Sequence, residues 1–518
     1  MHHLLTPLCF LSALVATGPL HADPAESAAP AGVETALQLA LHELPPSIRA
    51  AAPEASSPLA VEYTVDAALE AQIREILAHR DLHLAQVIVM DPATGEVFAY
   101  VAADPQAFPA TRAYPMASLM KVVTAAAVLR KTPDAARRSC RYVGSPYEFG
   151  AEQLTAPRSG GRLESFDEAL AISNNQCFAR LAIQAVGRST LLEEIERAGL
   201  LVSPAAGHPA GSVERVDDAL SLGRLGSGLA GSSLTPLAAA RLAAALAHGE
   251  LVEPHWIARV RDTAGELVVV PEFAAPQRIW NAEVADALRH SLRGVTERGT
   301  ARRAFRNTRG EPLLGDVTVA GKTGTLRGDN PKGLYQWFVG VAPAEEPRIA
   351  IAALVVHDLE ASEQRGGAGT NASQVAAETL RALLCDDAGC SGNRVEPLYA
   401  RANARRAESV ALLEAQRAAR ERARIATERV VPARLLEESN IEFPRSLRRR
   451  AVEGEIVLLV SVAPSGDVTN VRVDASDVPT RFGTHVSDVV RGWKFAPSSR
   501  GGEPIASEVR LRIPIEIR

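Results

Sequence analysis

The sequence predicts an α+β protein in three parts: a large domain, a charged helical linker and a small C-terminal domain. Short apolar strands stand at both ends of residues 61–392, with helical patterns between them, which is typical of an α+β domain whose terminal strands share one sheet. Residues 393–430 are rich in charge and alanine. From residue 431 onward the pattern is strand, turn, strand, helix and strand, as in a small α+β module.

The N-terminus has the pattern of an export signal. The apolar run Leu4–Thr17 is followed by Gly18, Pro19 and Ala22, as in a secretory signal peptide, which we place at residues 1–22. The run is shorter than the roughly 20 apolar residues that span a bilayer. It lacks Lys and Arg at its start, so an uncleaved membrane anchor is the alternative. Residues 23–60, rich in Ala and Pro, are expected to form a flexible lead.

The large domain is expected to begin with a helix and a hairpin. The turn Asp91–Glu96 contains Pro and Gly between two apolar runs, which favours a hairpin, and Ser373 is a fair N-cap for the last helix. The predicted elements are helix Ala67–His79, strands Gln86–Met90 and Val97–Val101, a mainly helical stretch to about Leu292, strands Val317–Ala320, Gln336–Val341 and Arg348–Val356, and a helix from Ser373 to Leu384.

The linker is strongly basic. Residues 394–450 hold 14 arginines against 8 acidic residues, an excess of +6, with few bulky apolar side chains, which favours a solvated helical spacer. Binding to an anionic lipid or cell-wall polymer is the alternative. The whole chain has a formal net charge of −5, so we expect no nucleic-acid partner.

The C-terminal domain is expected to contain three strands and one helix. The turn Pro464–Asp467 separates the first two strands. The predicted elements are strands Glu455–Val462 and Val468–Val473, a helix near His485–Arg491 and strand Val509–Ile517.

Four cysteines follow the signal segment: Cys140, Cys177, Cys385 and Cys390. In an exported protein they can oxidise, and Cys140 with Cys177 and Cys385 with Cys390 is a natural pairing. Four unpaired, partly buried thiols are the alternative. No Cys or His cluster has the spacing of zinc ligands, so we expect neither a metal nor a cofactor.

A first candidate motif is Ser118-Leu119-Met120-Lys121, which runs into a helical stretch. Three residues along a helix is one turn, so Ser118 and Lys121 share a face. A buried lysine with a lowered pKa can activate a serine hydroxyl as a nucleophile. An N-cap serine followed by a surface lysine is the alternative.

A second candidate motif is Ser173-Asn174-Asn175, between two helix-like segments. Ser173 could relay a proton, and the Asn175 amide could hold a peptide carbonyl. The alternative is a helix C-cap followed by an N-cap.

A third candidate motif is Lys322-Thr323-Gly324, followed by Thr325, on a predicted strand. Lys322 offers a positive charge, the threonine hydroxyls suit a carboxylate, and Gly324 allows another backbone to approach closely. The alternative is a surface strand end at which glycine serves a turn.

The three motifs together are more specific than any one of them. Only five of the 56 basic residues are lysines, and two of these five belong to the motifs, which are separated by 55 and 149 residues. Ser-x-x-Lys, Ser-x-Asn and Lys-Thr-Gly in this order resemble the motifs of the penicillin-binding, serine-active acyltransferases. The long second gap is more similar to the transpeptidase domain of penicillin-binding proteins than to a class A β-lactamase. The resemblance covers about residues 62–390 and implies an antiparallel sheet plus a helical subdomain.

The resemblance also implies roles for the motif residues. Ser118 would attack the carbonyl of a peptidoglycan stem peptide ending in D-Ala-D-Ala, and Lys121 would take its proton. Ser173, assisted by Lys322, would pass a proton to the leaving amine. The backbone N–H groups of Ser118 and Thr325 would form an oxyanion hole, and β-lactams would acylate the same serine. The implied substrate-binding residues are Asn175, Thr323, Gly324 and Thr325.

The C-terminal domain has a second resemblance. Phe443-Pro444, Val452–Val457, Ser465–Val468, Trp493–Pro497 and Ile513–Ile515 are similar to the C-terminal domain of TonB energy transducers. That family binds extended segments of outer-membrane receptors by strand addition. The resemblance implies a docking module for an outer-membrane or periplasmic protein. The chain lacks the long Pro-rich spacer of these transducers, which favours docking over energy transduction.

The sequence therefore predicts a periplasmic D,D-transpeptidase or D,D-carboxypeptidase, held at the inner membrane if its N-terminal segment stays uncleaved. One alternative is a β-lactamase, although no Glu-x-x-x-Asn pattern after Ser173 supplies a base for deacylation. The other is a non-catalytic sensor of β-lactams or wall fragments that signals through the C-terminal domain. The expected divisions are a signal peptide (1–22), a lead (23–60), a transpeptidase domain (61–392), a helical linker (393–430) and a TonB-like domain (431–518).

Overall fold

The chain forms two compact units that divide between Ser409 and Val410. The structure, a computed structural model, describes residues 47–49, 58–261, 265, 267–269, 273–357, 370–387, 389–391, 395–428, 430–448 and 451–517. The expected signal peptide and most of the expected lead lie outside these residues. None of the helices in this described part is both long and apolar enough to span a bilayer.

The first unit contains both strands and helices. Its strands are β1 (Ser47–Arg49), β2 (Pro58–Tyr63), β3 (Ala85–Met90), β4 (Val97–Ala102), β5 (Tyr114–Pro115), β6 (Cys140–Tyr142), β7 (Arg162–Glu164), β8 (Ser212–Val213), β9 (Ser232–Leu234), β10 (Glu250–Leu251), β11 (Ile257–Arg261), β12 (Leu267–Val269), β13 (Gln277–Arg278), β14 (Ala320–Asp329), β15 (Lys332–Ala342), β16 (Ile349–His357), β17 (Cys385–Asp386) and β18 (Gly389–Cys390). Its α-helices are α1 (Ala67–His79), α2 (Met120–Lys131), α3 (Pro133–Ala136), α4 (Phe166–Ala171), α5 (Asn175–Arg180), α6 (Arg188–Arg197), α7 (Ala219–Ser227), α8 (Pro236–His248), α9 (Ala282–Glu297), α10 (Ala372–Leu384) and the start of α11 (Glu396–Glu428). Short 3₁₀ turns occupy Ala117–Leu119 and Ala151–Gln153, and a π-helical segment occupies Leu181–Val186.

A five-stranded antiparallel sheet organises this unit, in the order β14-β15-β16-β3-β4. Helices α1, α8, α9 and α10 pack against it, which explains why β3 and β4 are buried along their whole length. Such continuous apolar runs are typical of strands covered on both faces. Strand β14 is an edge strand of this sheet, and it carries the third candidate motif.

Most predicted elements of the large domain are present, and the α+β class is confirmed. Helix α1 has the predicted bounds; its buried residues Leu69, Ile73 and Leu77 recur every four positions, as on the inner face of an amphipathic helix. The turn Asp91–Glu96 does join two antiparallel strands. The Asp91 side chain accepts the Ala93 N–H at 2.9 Å, which stabilises this turn.

Three expectations for this unit need correction. We predicted a strand at Val317–Ala320, but β14 begins at Ala320, because the paired strand is followed by Pro343, which has no N–H to donate. The N-cap of α10 is Asn371, which accepts the Gln374 N–H at 3.1 Å, and not Ser373. Strands β1 and β2 pair inside the expected flexible lead, and β2 continues into a sheet with β11.

The beginning of the predicted linker is also corrected, because α11 packs against the first unit. Leu398 and Ala402 are buried one turn apart, and the Tyr399 ring contacts Phe98 edge-on with centroids 5.6 Å apart. We predicted a solvated spacer. These apolar residues at helical spacing give the first turns of the helix a face to bury.

Two arginines of α11 neutralise buried acids in the hairpin turn. Arg405 Nη2 lies 2.5 Å from Glu96 Oε1, and Arg406 Nη2 lies 2.6 Å from Asp91 Oδ2. Glu96 and Asp91 are only 2% and 1% exposed. Buried carboxylates require such partners, so residues 396–409 are part of the first unit. We call Asp91, Glu96, Arg405 and Arg406 the arginine clamp.

The second unit has its own hydrophobic core. Phe482, Val486 and Val490 recur every four residues on its helix and are fully buried. Its central sheet has the order β22-β21-β26 and is antiparallel. The elements are β19 (Val430–Val431), β20 (Arg434–Glu437), β21 (Val452–Val462), β22 (Val468–Ser476), α12 (Thr480–Val490), β23 (Lys494–Ala496), β24 (Ser498–Arg500), β25 (Glu503–Ile505) and β26 (Ser507–Ile517).

The structure contains both disulfides of the natural pairing. Cys140 is bonded to Cys177, and Cys385 to Cys390. The second disulfide closes a two-strand turn directly after α10. The first joins β6 to the first turn of α5, next to Asn175.

Candidate active site

Ser118 lies in the 3₁₀ turn that immediately precedes α2. Lys121 lies one turn further on, and its Nζ is 2.8 Å from Ser118 Oγ. Ala117, before the serine, has a φ of 52°, which is unusual for a residue with a side chain. Strained backbone of this kind persists only where surrounding structure holds it, and it is common at functional sites.

Lys121 is fully buried and has two further polar partners. Its Nζ donates to Asn175 Oδ1 at 2.6 Å and to the Ser227 carbonyl at 2.5 Å. Burial lowers the pKa of Lys121 well below its ordinary value, and the nearby charge of Lys322 lowers this pKa further. Both effects favour the neutral amine over the charged ammonium form.

The second motif forms a tight connection between α4 and α5. Ser173 has a φ of 59°. Asn174 caps α5 by accepting the Cys177 N–H at 3.0 Å, so the N-cap part of the capping alternative is also true, whereas the C-cap of α4 is Ile172. The Asn175 amide Nδ2 donates to the Tyr147 carbonyl at 2.6 Å. This contact fixes the amide so that its oxygen faces Lys121.

The third motif lies on β14. Lys322, also fully buried, donates from Nζ to Ser173 Oγ and to the Thr323 carbonyl, both at 2.9 Å. Burial lowers its pKa to about 7. Thr323 Oγ1 lies 2.5 Å from Thr300 Oγ1, which orients the hydroxyl at the mouth of the site.

All eight candidate residues meet around one cavity of about 480 Å³. Six of them line it, and the two lysines are fully buried, each within hydrogen-bond distance of a lining serine. The six lining residues are Ser118, Ser173, Asn175, Thr323, Gly324 and Thr325. Ser118 and Lys322, which are 204 positions apart in the sequence, thus belong to one site.

Several residues of this site were not found from the sequence. Ser227 ends α7 and accepts from Lys121, and Gly228 follows it with a φ of 73°. A Cβ at Gly228 would lie 2.0 Å from the Ala117 carbonyl oxygen, so only glycine allows α7 to approach the serine turn this closely. The Ser-Gly pair at the end of a helix-like segment was the available signal. Tyr147 and Thr300 carried no recognisable signal.

No group of three or more His, Cys, Asp or Glu side chains suited to a metal ion occurs among the described residues.

A match to a family model shows the family to which the first unit belongs. Residues 85–381, more than half of the chain, match the penicillin binding protein transpeptidase domain. The chain belongs to this penicillin-binding family. The predicted resemblance is thereby confirmed, together with the fold of the penicillin-binding domain.

Individual relatives agree with this assignment. The peptidoglycan D,D-transpeptidase PbpA of Mycolicibacterium smegmatis is 27% identical over 341 residues, which cover 58% of this chain and 66% of the relative. The chain therefore spans just under two thirds of that relative's length. The crystal structure of PBPA from Mycobacterium tuberculosis has the same fold, with a TM-score of 0.51 and 21% identity over 62% of this chain and 81% of that one.

The C-terminal unit matches a different family. Residues 439–516 match the C-terminal domain of Gram-negative bacterial TonB proteins. The protein TonB of Xanthomonas campestris is 35% identical over 74 residues, which cover 14% of this chain and 32% of the relative. The second predicted resemblance is thereby confirmed.

Proposed function

We propose that this penicillin-binding protein is a D,D-transpeptidase or D,D-carboxypeptidase that forms an ester between Ser118 and peptidoglycan stem peptides ending in D-Ala-D-Ala. The observation that carries the proposal is the arrangement around Lys121 Nζ, which lies between Ser118 Oγ, Asn175 Oδ1 and the Ser227 carbonyl oxygen. The naming of a relative as a peptidoglycan D,D-transpeptidase supports the same conclusion.

A neutral amine can satisfy the three contacts of Lys121. A neutral amine has two N–H groups and one lone pair. Asn175 Oδ1 and the Ser227 carbonyl can only accept hydrogen bonds, so they take both N–H groups. The lone pair then faces the Ser118 hydroxyl, which donates its proton as Oγ bonds to the substrate carbonyl carbon. Burial lowers the pKa of Lys121 and so favours the neutral amine, the form that this role requires.

Ser173 and Lys322 act on the leaving side of the reaction. When the tetrahedral intermediate collapses, the C–N bond to the terminal D-Ala breaks and its amine needs a proton. Ser173 Oγ, 2.9 Å from Lys322 Nζ, delivers that proton and regains one from the lysine. A lysine pKa of about 7 suits transfer in either direction near neutral pH.

The remaining candidate residues bind the substrate. Thr323 and Thr325 offer hydroxyls to the terminal carboxylate, beside the positive charge of protonated Lys322. Gly324 lies flush against the serine turn, since a Cβ there would be 3.2 Å from the Ala117 side chain. The backbone N–H groups of Ser118 and Thr325 form the oxyanion hole, and Asn175 holds the peptide.

The possible activities differ in the molecule that accepts the acyl group from Ser118. An amino group of a second stem peptide gives a cross-link, and water gives a carboxypeptidase product. A β-lactamase needs rapid attack by water on the acyl-enzyme, which a nearby carboxylate base promotes. None of the described residues that line the cavity is Asp or Glu, which supports slow deacylation and favours the transferase.

Intact-mass spectrometry with benzylpenicillin tests the proposal. We expect one long-lived adduct, mapped to the peptide that contains Ser118, and none in Ser118→Ala. The matched control is Ser159→Ala, an exposed serine outside the cavity, which should label like the wild type. A synthetic D-Ala-D-Ala peptide with a D-amino acid acceptor then separates transfer from hydrolysis. An adduct that disappears within seconds would instead indicate a β-lactamase.

We propose further that the TonB-like unit docks the enzyme to an extended segment of an outer-membrane or periplasmic protein, and that the chain is exported. The two edge strands β22 and β26 leave backbone groups that such a segment can pair with. The catalytic cavity lies wholly in the first unit. Deletion of residues 410–518 should therefore leave penicillin labelling intact and abolish capture of the partner. Equal labelling and capture after the deletion would contradict the docking role. If acylation instead increased partner binding to the full chain, the unit would serve a β-lactam sensor.

A further inference from the structure

The disulfide Cys140–Cys177 is built into the support of the second catalytic motif. Cys177 stands two residues after Asn175, in the first turn of α5. Just before this turn, Ser173 has a left-handed backbone with a φ of 59°. A non-glycine residue in that conformation is held by its surroundings. The position of the motif therefore depends on what is bonded to it.

The chain from Cys140 to Tyr147 provides this support. Besides the disulfide, it accepts the Asn175 N–H at the Pro146 carbonyl, at 2.7 Å, and the Asn175 Nδ2 at the Tyr147 carbonyl, at 2.6 Å. Gln176 Nε2 donates to the carbonyls of Val143 and Ser145 at 2.8 and 2.9 Å. The disulfide is the covalent member of this set of contacts. Its loss would leave the motif attached by hydrogen bonds alone.

The disulfide is also reachable. A second cavity, of about 570 Å³, is lined by both cysteines. Cys140 is partly exposed, whereas Cys177 is buried, so Cys140 is the more accessible of the two to an attacking thiolate. The two disulfides also differ in where they lie. Cys140–Cys177 is next to Asn175, whereas Cys385–Cys390 closes a turn after α10.

The surroundings of this disulfide favour thiolates. Arg180 Nη2 lies 3.1 Å from Cys140 Sγ, and the guanidinium can stabilise negative charge that develops on either sulfur. The other basic residues of the cavity are Lys131, Arg138 and Arg141, and Asp134 is its acidic residue. Positive surroundings lower thiol pKa values and speed thiol–disulfide exchange.

We propose that Cys140–Cys177 is a thiol–disulfide exchange site for a dithiol reductant, and that its reduction slows acylation of Ser118. In the first step, a thiolate of the dithiol bonds to Cys140 Sγ, the S–S bond breaks, and Cys177 leaves as a thiolate that takes a proton from water. In the second, the other thiol of the reductant attacks the mixed disulfide, releases Cys140 and closes the reductant's own disulfide. Two electrons pass from the dithiol to the protein.

Reduction acts on the reaction through Asn175. Once the covalent link is open, only hydrogen bonds hold the segment that accepts from the Asn175 amide to α5, so this segment can shift. Lys121 then loses the fixed Asn175 Oδ1 acceptor that orients its lone pair toward Ser118. A displacement of about 1 Å in such a group costs on the order of 10²-fold in rate, so partial loosening should slow acylation by roughly 10-fold. Cys140 and Cys177 are thus positioning residues, and this effect on acylation rests on the proposed function.

The test uses the full chain with Cys385→Ser and Cys390→Ser, which removes the second disulfide. Of the two disulfides in the described residues, Cys140–Cys177 then remains. Dithiothreitol is added under native conditions, new thiols are alkylated with iodoacetamide, and peptide mapping shows which cysteines reacted. We expect alkylation of Cys140 and Cys177, a roughly 10-fold slower reaction with a fluorescent penicillin, and recovery on reoxidation. The variant with Cys140→Ser and Cys177→Ser should be slow already and insensitive to dithiothreitol.

Hydrogen exchange separates this inference from the proposed function. Reduction should speed exchange of the peptide that covers Ser173–Cys177 and leave that of β3 and β4 unchanged. This readout does not require acylation: if oxidised protein takes no penicillin, the proposed function fails, and exchange still decides the redox effect. If the serine double variant does not fold, reduction of the folded protein gives the answer. Unchanged exchange after complete reduction, resistance of the disulfide to dithiothreitol, or an unchanged acylation rate in protein that does react would each overturn the inference.

Discussion

Asn175 Oδ1 lies 2.6 Å from Lys121 Nζ, although 54 residues separate the two in the chain. The amide oxygen carries no net charge, so it orients the lysine amine while stabilising the charged form much less than a carboxylate would. A carboxylate at the same place would favour protonated Lys121. The amide at this position therefore helps to leave Lys121 able to accept a proton, as the proposed function requires.

Asn175→Asp should slow acylation and shift its pH dependence. The new carboxylate would raise the pKa of Lys121, so that the amine is protonated near neutral pH and has no lone pair for Ser118. We expect the acylation rate at about pH 7 to fall by about 100-fold and to recover partly as the pH rises. The measurement is the rate of fluorescent penicillin labelling across pH. An unshifted pH profile would contradict the role of Lys121 as base.

Lys322 should make stability depend on pH. Its folded-state pKa is about 7 against an ordinary value of 10.5, so above pH 7 the unfolded chain binds more protons than the folded one. Stability should therefore rise with pH, by about 2 kcal/mol from pH 7 to pH 9 for this one group. In Lys322→Met this contribution is absent. Urea unfolding at both pH values gives the difference between the two proteins. An identical rise in both would show that Lys322 is not buried in its neutral form.

Gly228→Ala should disturb the serine turn. The added Cβ would lie 2.0 Å from the Ala117 carbonyl oxygen, so α7 or the turn must move, and acylation should fall by at least about 10-fold. Gly207→Ala is the matched control, because Gly207 has a similar φ of 75° and no neighbouring atom within 4 Å of an added Cβ. It should cost only about 1 kcal/mol of backbone strain. Equal labelling by the two variants would argue against the close approach at Gly228.

The arginine clamp should contribute to the stability of the transpeptidase domain. Arg406→Met leaves Asp91 buried with one partner fewer, and we expect a loss of about 3–5 kcal/mol, as on breaking a buried ion pair. Arg422→Met, on the exposed part of the same helix, should cost less than about 0.5 kcal/mol. Thermal or urea unfolding of the two variants gives the comparison. Equal stability would mean that the helix is merely adjacent to the acids.

The sequence was sufficient to find the three motifs that meet at the cavity, because each motif consists of particular side chains at short spacing. Lys121 and Lys322 could be recognised as candidate site residues because lysine is rare in this chain. Ser227 was missed because it contributes a backbone carbonyl, which any residue has. Thr300 was missed because its role depends on where α9 ends relative to β14, which is a long-range packing relationship.

The fold was predictable where strands are apolar and bounded by turn residues, as with β3, β4 and the hairpin between them. The linker helix was misjudged because two of its partners are carboxylates that lie 309 and 315 residues earlier in the chain. Arg405 and Arg406 look like any solvated charges in a basic segment. Only the burial of Asp91 and Glu96, which composition does not reveal, makes them structural.

The division between the two units inside α11 has a practical consequence for anyone who wishes to exchange or remove the C-terminal unit. The family match ends at residue 381, but a cut at the end of the Cys385–Cys390 turn would also remove Arg405 and Arg406. The buried carboxylates of Asp91 and Glu96 would then lose their counterions. Chimaeras should instead be spliced after Ser409, within an uninterrupted helix. Such a fusion must also preserve the helical phase, because each residue added to or omitted from the helix rotates the following part of it by about 100°.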